Sequence, residues 1–231
     1  MTSATINGVA EQTSRTLHRL TTPRAAALAG VIFAVLFAAA IILVRGSLPE
    51  GADPGSQWLT TGGSKMVLAA ELVTFSGIAF LWFIGVVRSN LGRLEDRFFS
   101  TVFFGSGLLF LAMMFIAVAV GAALTTANDA RSGMLAGTDV GTFGQMLVLK
   151  LSKTYALRMA AVFMMSLATI WLRTGLMPKW LVALSYLMAV TLMIAADTTM
   201  WLSLSFPFWV LVVSLLLLTR TERGEDSRRP G

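Results

Sequence analysis

The chain contains no cysteine and only one histidine, His18, among its 231 residues. The absence of cysteine excludes thiol redox chemistry, iron–sulfur clusters and disulfide-bonded loops. A single histidine is too few for a haem with two histidine ligands or for a histidine-rich metal site. We therefore expect neither a cofactor nor a metal ion.

Charged residues are also scarce. They make up 13% of the chain, whereas hydrophobic residues make up 56% and the mean hydropathy is +0.76. An ordinary soluble domain contains about 25% charged residues. A soluble fold of this length cannot bury so much apolar surface, so lipid must cover it. The net charge of +6 comes from basic residues beside apolar blocks. This arrangement predicts contact with anionic lipid headgroups and none with nucleic acid.

Six apolar blocks of about 17 to 24 residues run through the chain. A block of this length matches the ~30 Å hydrocarbon core of a bilayer when it is helical. The blocks cover residues 25–44, 66–87, 101–124, 153–172, 180–196 and 202–218. They predict an all-α fold, with six transmembrane helices in one bundle over residues 25–218. A polar segment, 1–24, precedes the bundle and a basic tail, 219–231, follows it. The apolar spacing within the first segment fits either an interfacial helix or disorder.

The distribution of Lys and Arg predicts the orientation of the bundle. Six spans place twelve basic residues on the side of both termini: Arg15, Arg19, Arg24, Arg88, Arg93, Arg97, Arg173, Lys179, Arg220, Arg223, Arg228 and Arg229. Five lie on the other side: Arg45, Lys65, Arg131, Lys150 and Lys153. Both termini are therefore expected in the cytoplasm, and the two longer loops, about 45–65 and 125–152, on the outer side.

Glu71, Lys153, Arg158 and Asp197 form the candidate intramembrane polar cluster. Glu71 and Arg158 each lie five residues inside their apolar block. At a rise of 1.5 Å per residue, both lie ~7 Å below the outer boundary of the hydrocarbon core. An ionisable residue at that depth is costly and needs a partner. The matching depths predict a contact between Glu71 and Arg158, with Asp197 close by.

Lys150, Lys153 and Arg158 fall within about 140° of an ideal helical wheel. They form either a basic stripe that attracts an anion or a set of side chains that extend to the headgroups. The Glu71–Arg158 pair likewise has a structural interpretation, as a link between helices, and a functional one, as part of a polar site.

Two further patterns concern small residues at helix contacts and tryptophans at the membrane interface. Gly30 and Gly121 each follow an alanine by four residues, a spacing that lets helices approach closely, within the bundle or in a dimer. Trp180, Trp201 and Trp209 lie near the ends of apolar blocks and are expected to be anchors at the membrane interface.

Two stretches of sequence carry a resemblance. One is LEDRFF at residues 94–99, leading into FFGSG at 103–107, and the other is YALRM at 155–159, leading to WLRTGLMPKWL at 171–181. Together they resemble a group of small, uncharacterised six-helix membrane proteins of actinobacteria, over about residues 66–218. The resemblance implies a location in the plasma membrane of a bacterium. It implies no activity.

The sequence contains no recognisable set of catalytic residues. We therefore expect a non-enzymatic membrane protein that binds a partner, either another membrane protein or a second copy, or acts as an accessory subunit. The alternative is a small transporter or channel with a polar site in the outer half of the membrane. A lipid-acting enzyme with Glu71 as general base is less favoured.

Overall fold

The computed structural model describes residues 23–48, 58–91, 97–198 and 200–226. Within these ranges the chain forms helices and no strand, which confirms the all-α prediction. The predicted alternatives for the polar N-terminal segment concern residues 1–22, which lie outside the described residues, as does the part of the first long loop at 49–57.

The helices follow in this order: α1 Pro23–Ser47, α2 Trp58–Thr61, α3 Gly63–Leu91, α4 Arg97–Ala130 and α5 Asp139–Leu149. A π-helical segment, Lys150–Ala156, continues α5 directly into α6, Leu157–Thr174. After these come α7 Lys179–Ala195, a 3₁₀ turn Met200–Leu204 and α8 Ser205–Asp226. The fourth apolar block therefore becomes helical at Asp139, well before residue 153. Helix α8 continues past residue 218 into the predicted tail.

Among the described residues, five stretches of helix are long and apolar enough to cross a membrane. They are Ala27–Ser47, Gly63–Arg88, Phe98–Ala130, Asp139–Thr174 and Trp201–Thr219. Helix α7 is apolar but has only 17 residues. Its length of about 26 Å lies just under the ~30 Å hydrocarbon core. The described chain thus has the composition of a multi-pass membrane protein.

A cluster of phenylalanine rings holds the bundle together at its centre. Phe206 of α8 lies 4.7–5.9 Å, between ring centroids, from Phe33 of α1, Phe80 of α3, Phe110 of α4 and Phe163 of α6. All five rings are fully buried. Because lipid is as apolar as these side chains, close packing and aromatic geometry stabilise the cluster, rather than exclusion from water.

Trp209 is not an interface anchor, and that prediction is wrong. It lies three residues after Phe206, which turns its ring to the same inward face of α8. The side chain is buried, and its Nε1 donates a hydrogen bond of 2.8 Å to Ser185 Oγ of α7. Trp180 and Trp201 are exposed.

Two glycines allow close contact between helices inside the bundle. A Cβ atom on Gly30 would lie 2.0 Å from Ser214 Oγ of α8 and 2.9 Å from the ring of Phe83 of α3. A Cβ atom on Gly121 would lie 2.8 Å from Met66 Sδ. These contacts support the interpretation of the small residues as packing sites within the bundle.

Five parts of the chain lie at the same end of the bundle: the end of α1, the start of α3, the end of α4, the π-helical segment and the turn after α7. We call it the Asp197 end. Ser47 Oγ donates a hydrogen bond of 3.1 Å to Gly62 O there. Buried Asn128 donates to Leu59 O and accepts bonds from the backbone N–H groups of residues 135 and 136. These bonds fix α2 and the 131–138 turns against α4.

Candidate functional site

Asp197 lies in the turn after α7 and binds two residues of the neighbouring helix. Arg158 Nη2 donates a hydrogen bond to Asp197 Oδ2 at 3.2 Å, which is also an ion pair. The Thr154 hydroxyl donates a hydrogen bond to the other carboxylate oxygen, Oδ1. Both carboxylate oxygens are thus bound. We call Thr154, Arg158 and Asp197 the Asp197 cluster.

Local sequence explains why these three residues meet. Thr154 and Arg158 are four residues apart, a spacing that places both side chains on one face of a helix. Gly175 ends α6 in the left-handed conformation, with φ of 66°, and Pro178 precedes α7 in an extended conformation. The short connection makes α6 and α7 antiparallel neighbours. The residue that follows α7 therefore returns to the first turn of α6, next to Arg158.

The environment of Asp197 lowers the pKa of its carboxyl group below the ordinary value. The largest cause is the hydrogen bond from Thr154, which favours the charged form. The positive charges of Lys150, Arg158 and Lys153 act in the same direction, and partial desolvation opposes them. At neutral pH the cluster thus contains a carboxylate and not a carboxylic acid.

The Asp197 cluster lies on the surface of the bundle. The side chains of Arg158 and Asp197 are 36% and 48% exposed. An exposed ion pair contributes little to stability, typically ~0–1 kcal/mol. A carboxylate with a lowered pKa is also a weak proton acceptor at neutral pH. The chemistry of the cluster therefore suits binding and orientation better than proton transfer.

The side chain of Lys153 lies inside the bundle, unlike that of Lys150. Together with Ser152 and Ser203, it lines an internal cavity whose other walls are apolar side chains of α1, α3, α4 and α5. The cavity has a volume of about 10 Å³, which is room for one water molecule. Lys150, in contrast, is exposed. The predicted basic stripe is therefore not formed as a single face.

Glu71 lies apart from the other three predicted residues. It is exposed on α3, which packs against α1 and α4, whereas Arg158 lies on a helix that packs against α4 and α7. The structure brings together Arg158 and Asp197, with Lys153 close enough to influence the carboxylate. It does not bring Glu71 to Arg158, and among the described residues the acidic partner of Arg158 is Asp197.

Sequence reasoning missed an aromatic contact at this end of the bundle. The guanidinium carbon of Arg45 lies 3.7 Å from the centroid of the Trp201 ring. A cation over an indole face is attracted by the ring electrons. The contact joins the end of α1 to the 3₁₀ turn before α8. An arginine directly after an apolar block was its only signal in the sequence.

Among the described residues, no three His, Cys, Asp or Glu side chains come close enough together to hold a metal ion. No protein-family model, no curated protein and no solved structure matches the chain. The geometry of the described residues is therefore the basis for any statement about function.

Proposed function

We propose that the chain crosses the plasma membrane of a bacterium six times, with both termini in the cytoplasm, and binds another membrane protein as a non-catalytic subunit. The basic residues support this orientation, since twelve lie on the side of the termini and five on the other. With this topology, the Asp197 end faces outward.

One observation carries the functional part of the proposal. The ion pair between Arg158 and Asp197 lies on the outside of the bundle, whereas most of the buried side chains of the described core are apolar or aromatic. A transporter needs a polar path between its helices. The cavity beside Lys153 is too small for a solute larger than water. Charged groups on the outside are available to a partner.

Photocrosslinking in native membranes tests the proposal. A photoreactive phenylalanine analogue would replace, one at a time, exposed apolar residues on different sides of the bundle, such as Phe75 of α3 and Leu187 of α7. We expect discrete protein adducts at a subset of these positions and lipid adducts at the rest. Lipid adducts at every position would contradict the proposal.

A flux measurement separates partner binding from transport. The purified chain would be reconstituted into sealed vesicles and assayed for proton, potassium and chloride movement. We expect the same rates as in protein-free vesicles. A rate that depends on the protein and falls in the Lys153→Met variant would favour the transporter or channel instead.

A further inference from the structure

Glu71 lies at the N-terminal end of an exposed apolar face of α3, which no other helix of the described chain covers. Phe75, Ile78 and Trp82 follow it by four, seven and eleven residues, and at 3.6 residues per turn the four side chains fall within about 60°. The three apolar side chains are 58%, 51% and 67% exposed. We call these four residues the Glu71 face. The spacing is that of a helix that presents anchors to a second helix.

A groove runs along the Glu71 face. Its volume is about 480 Å³, and it lies between α3 and α1. Helix α1 contributes Leu28, Ile32 and Leu36, and α3 contributes Phe75, Ile78 and Trp82. Every side chain that lines the groove is apolar. Glu71 lies one helical turn from Phe75, toward the Asp197 end.

Within the described part of the chain, Glu71 forms neither a hydrogen bond nor an ion pair. Arg158 binds Asp197 instead. The neighbouring loop, 49–57, contains no lysine, arginine or histidine. Lys65 is six residues earlier on α3, which places it about 120° around the helix from Glu71. The described part of the chain thus provides no evident cation for this carboxylate.

The depth of Glu71 makes this lack of a partner costly. The apolar stretch Gly63–Arg88 has 26 residues, or about 39 Å of helix, against a hydrocarbon core of ~30 Å. If the stretch is centred in the bilayer, Glu71 lies ~8 Å inside the core. Lipid tails offer it no hydrogen bond, and ionisable residues inside membranes are usually paired. A binding partner that supplies a cation would remove this cost.

We propose that the Glu71 face and the adjoining groove bind a transmembrane helix of a different protein, and that this helix carries a Lys or Arg opposite Glu71. The inference rests on the proposed function and specifies the partner. A second copy of the chain fits poorly, because a two-fold axis through this face would bring two Glu71 carboxylates together. A lipid acyl chain fills an apolar groove but supplies no cation.

A synthetic helix serves as the probe. The full-length chain, which has no cysteine of its own, would carry a donor dye at Ser64→Cys, an exposed position at the start of α3. An alanine–leucine transmembrane peptide would carry an acceptor at one end and a lysine five residues inside its apolar stretch. We expect energy transfer in lipid vesicles to show that this peptide binds at least about fivefold more tightly than the same peptide with leucine in place of lysine.

Variants of the chain assign the effect to Glu71. Glu71→Gln should abolish the preference for the lysine peptide, and Glu71→Lys should transfer it to a glutamate peptide. Asp139→Asn, which removes an exposed carboxylate elsewhere at the Asp197 end, should leave the preference unchanged. Equal binding of the lysine and leucine peptides would overturn the inference. So would energy transfer between two copies of the chain that depends on Glu71.

The crosslinking positions distinguish this inference from the proposed function. Protein adducts at Phe75 that disappear in Glu71→Gln would support both. Protein adducts at Leu187 but not at Phe75 would keep the proposed function and overturn the Glu71 face as the docking site.

Discussion

Thr154 donates a hydrogen bond from its hydroxyl to the carboxylate of Asp197, and the bond joins the π-helical segment to the turn after α7. π-Helical segments are rare, and they frequently occur at functional sites. Here the segment places a buried threonine and the first arginine of α6 on the same carboxylate. The Asp197 cluster therefore fixes the position of two helices at once.

Replacing Thr154 by valine should weaken this junction. Valine has the shape of threonine but no hydroxyl, so the variant loses one hydrogen bond, worth about 1 kcal/mol. The Tm in detergent at pH 7 should fall by about 2–4 °C. Thr191→Val is the control, because that exposed hydroxyl bonds only to the carbonyl of Leu187 in its own helix. Equal effects of the two variants would show that the contact with Asp197 contributes nothing.

Asp197 should make stability depend on pH in the acid range. Its pKa in the folded chain is lowered, whereas the unfolded chain has an ordinary carboxyl pKa of about 3.9. The stabilisation is therefore fully present above about pH 4 and is lost as the pH falls through the folded pKa.

The measurement compares the Tm of the natural chain with that of Asp197→Asn at each pH. The difference should be constant between pH 8 and about 5 and should shrink below about pH 4. In the Thr154→Val background the decrease should be smaller, since the largest cause of the lowered pKa is absent and less stabilisation remains to be lost. A difference that persists unchanged to pH 3 would contradict this assignment.

A double-mutant cycle should show which carboxylate is coupled to Arg158. The variants Arg158→Gln and Asp197→Asn should be non-additive by ~0.2–1 kcal/mol, because the two side chains form an exposed ion pair. Arg158→Gln and Glu71→Gln should be additive. Coupling of Arg158 to Glu71 rather than to Asp197, measured as thermal stability in detergent, would refute the arrangement of the site.

Two glycine substitutions should differ in their effect on the stability of the fold. Gly30→Val forces a side chain against Ser214 and Phe83, and overpacking of this kind costs about 1–3 kcal/mol. Gly85→Ala is the matched control in α3, because a Cβ atom there meets nothing within 4 Å. It should be neutral or stabilising by up to about 1 kcal/mol. If Gly30→Val were as stable as the natural chain, helices α1 and α8 would not pack as closely as described.

The helices could be predicted from the sequence because long apolar runs dictate their own structure in lipid. The all-α class and five long apolar helices followed directly. The internal role of Trp209 did not, because hydropathy alone does not say which face of α8 points inward. The start of the fourth long helix at Asp139 was not predicted either, because residues 139–152 are only partly apolar.

The site could be predicted only in part. The depth of a residue in the membrane follows from its position along a helix, and this position predicted that Glu71 and Arg158 lie at the same depth. Depth does not say which way a side chain points: α3 meets the helix that carries Arg158 at the buried rings of Phe80 and Phe163, whereas Glu71 is exposed on the opposite face of α3. The π-helical segment, Lys150–Ala156, has more residues per turn than an α-helix, so a wheel of 100° per residue placed Lys150 and Lys153 closer together than they lie. Asp197 was identified as a candidate, but Thr154 as its hydrogen-bond donor was not.

Cysteine labelling on the two sides of α7 tests the membrane account most directly. Among the helices of the described chain that match the six predicted spans, α7 is the shortest, with 17 residues. In this cysteine-free chain, Thr198→Cys and Lys179→Cys, both exposed positions, would be exposed separately to a membrane-impermeant maleimide on intact cells. With six spans and both termini in the cytoplasm, Thr198→Cys should react from outside and Lys179→Cys should react only after the membrane is opened. Reaction of both positions from the same side would contradict the six-span topology and the outward placement of the Asp197 end.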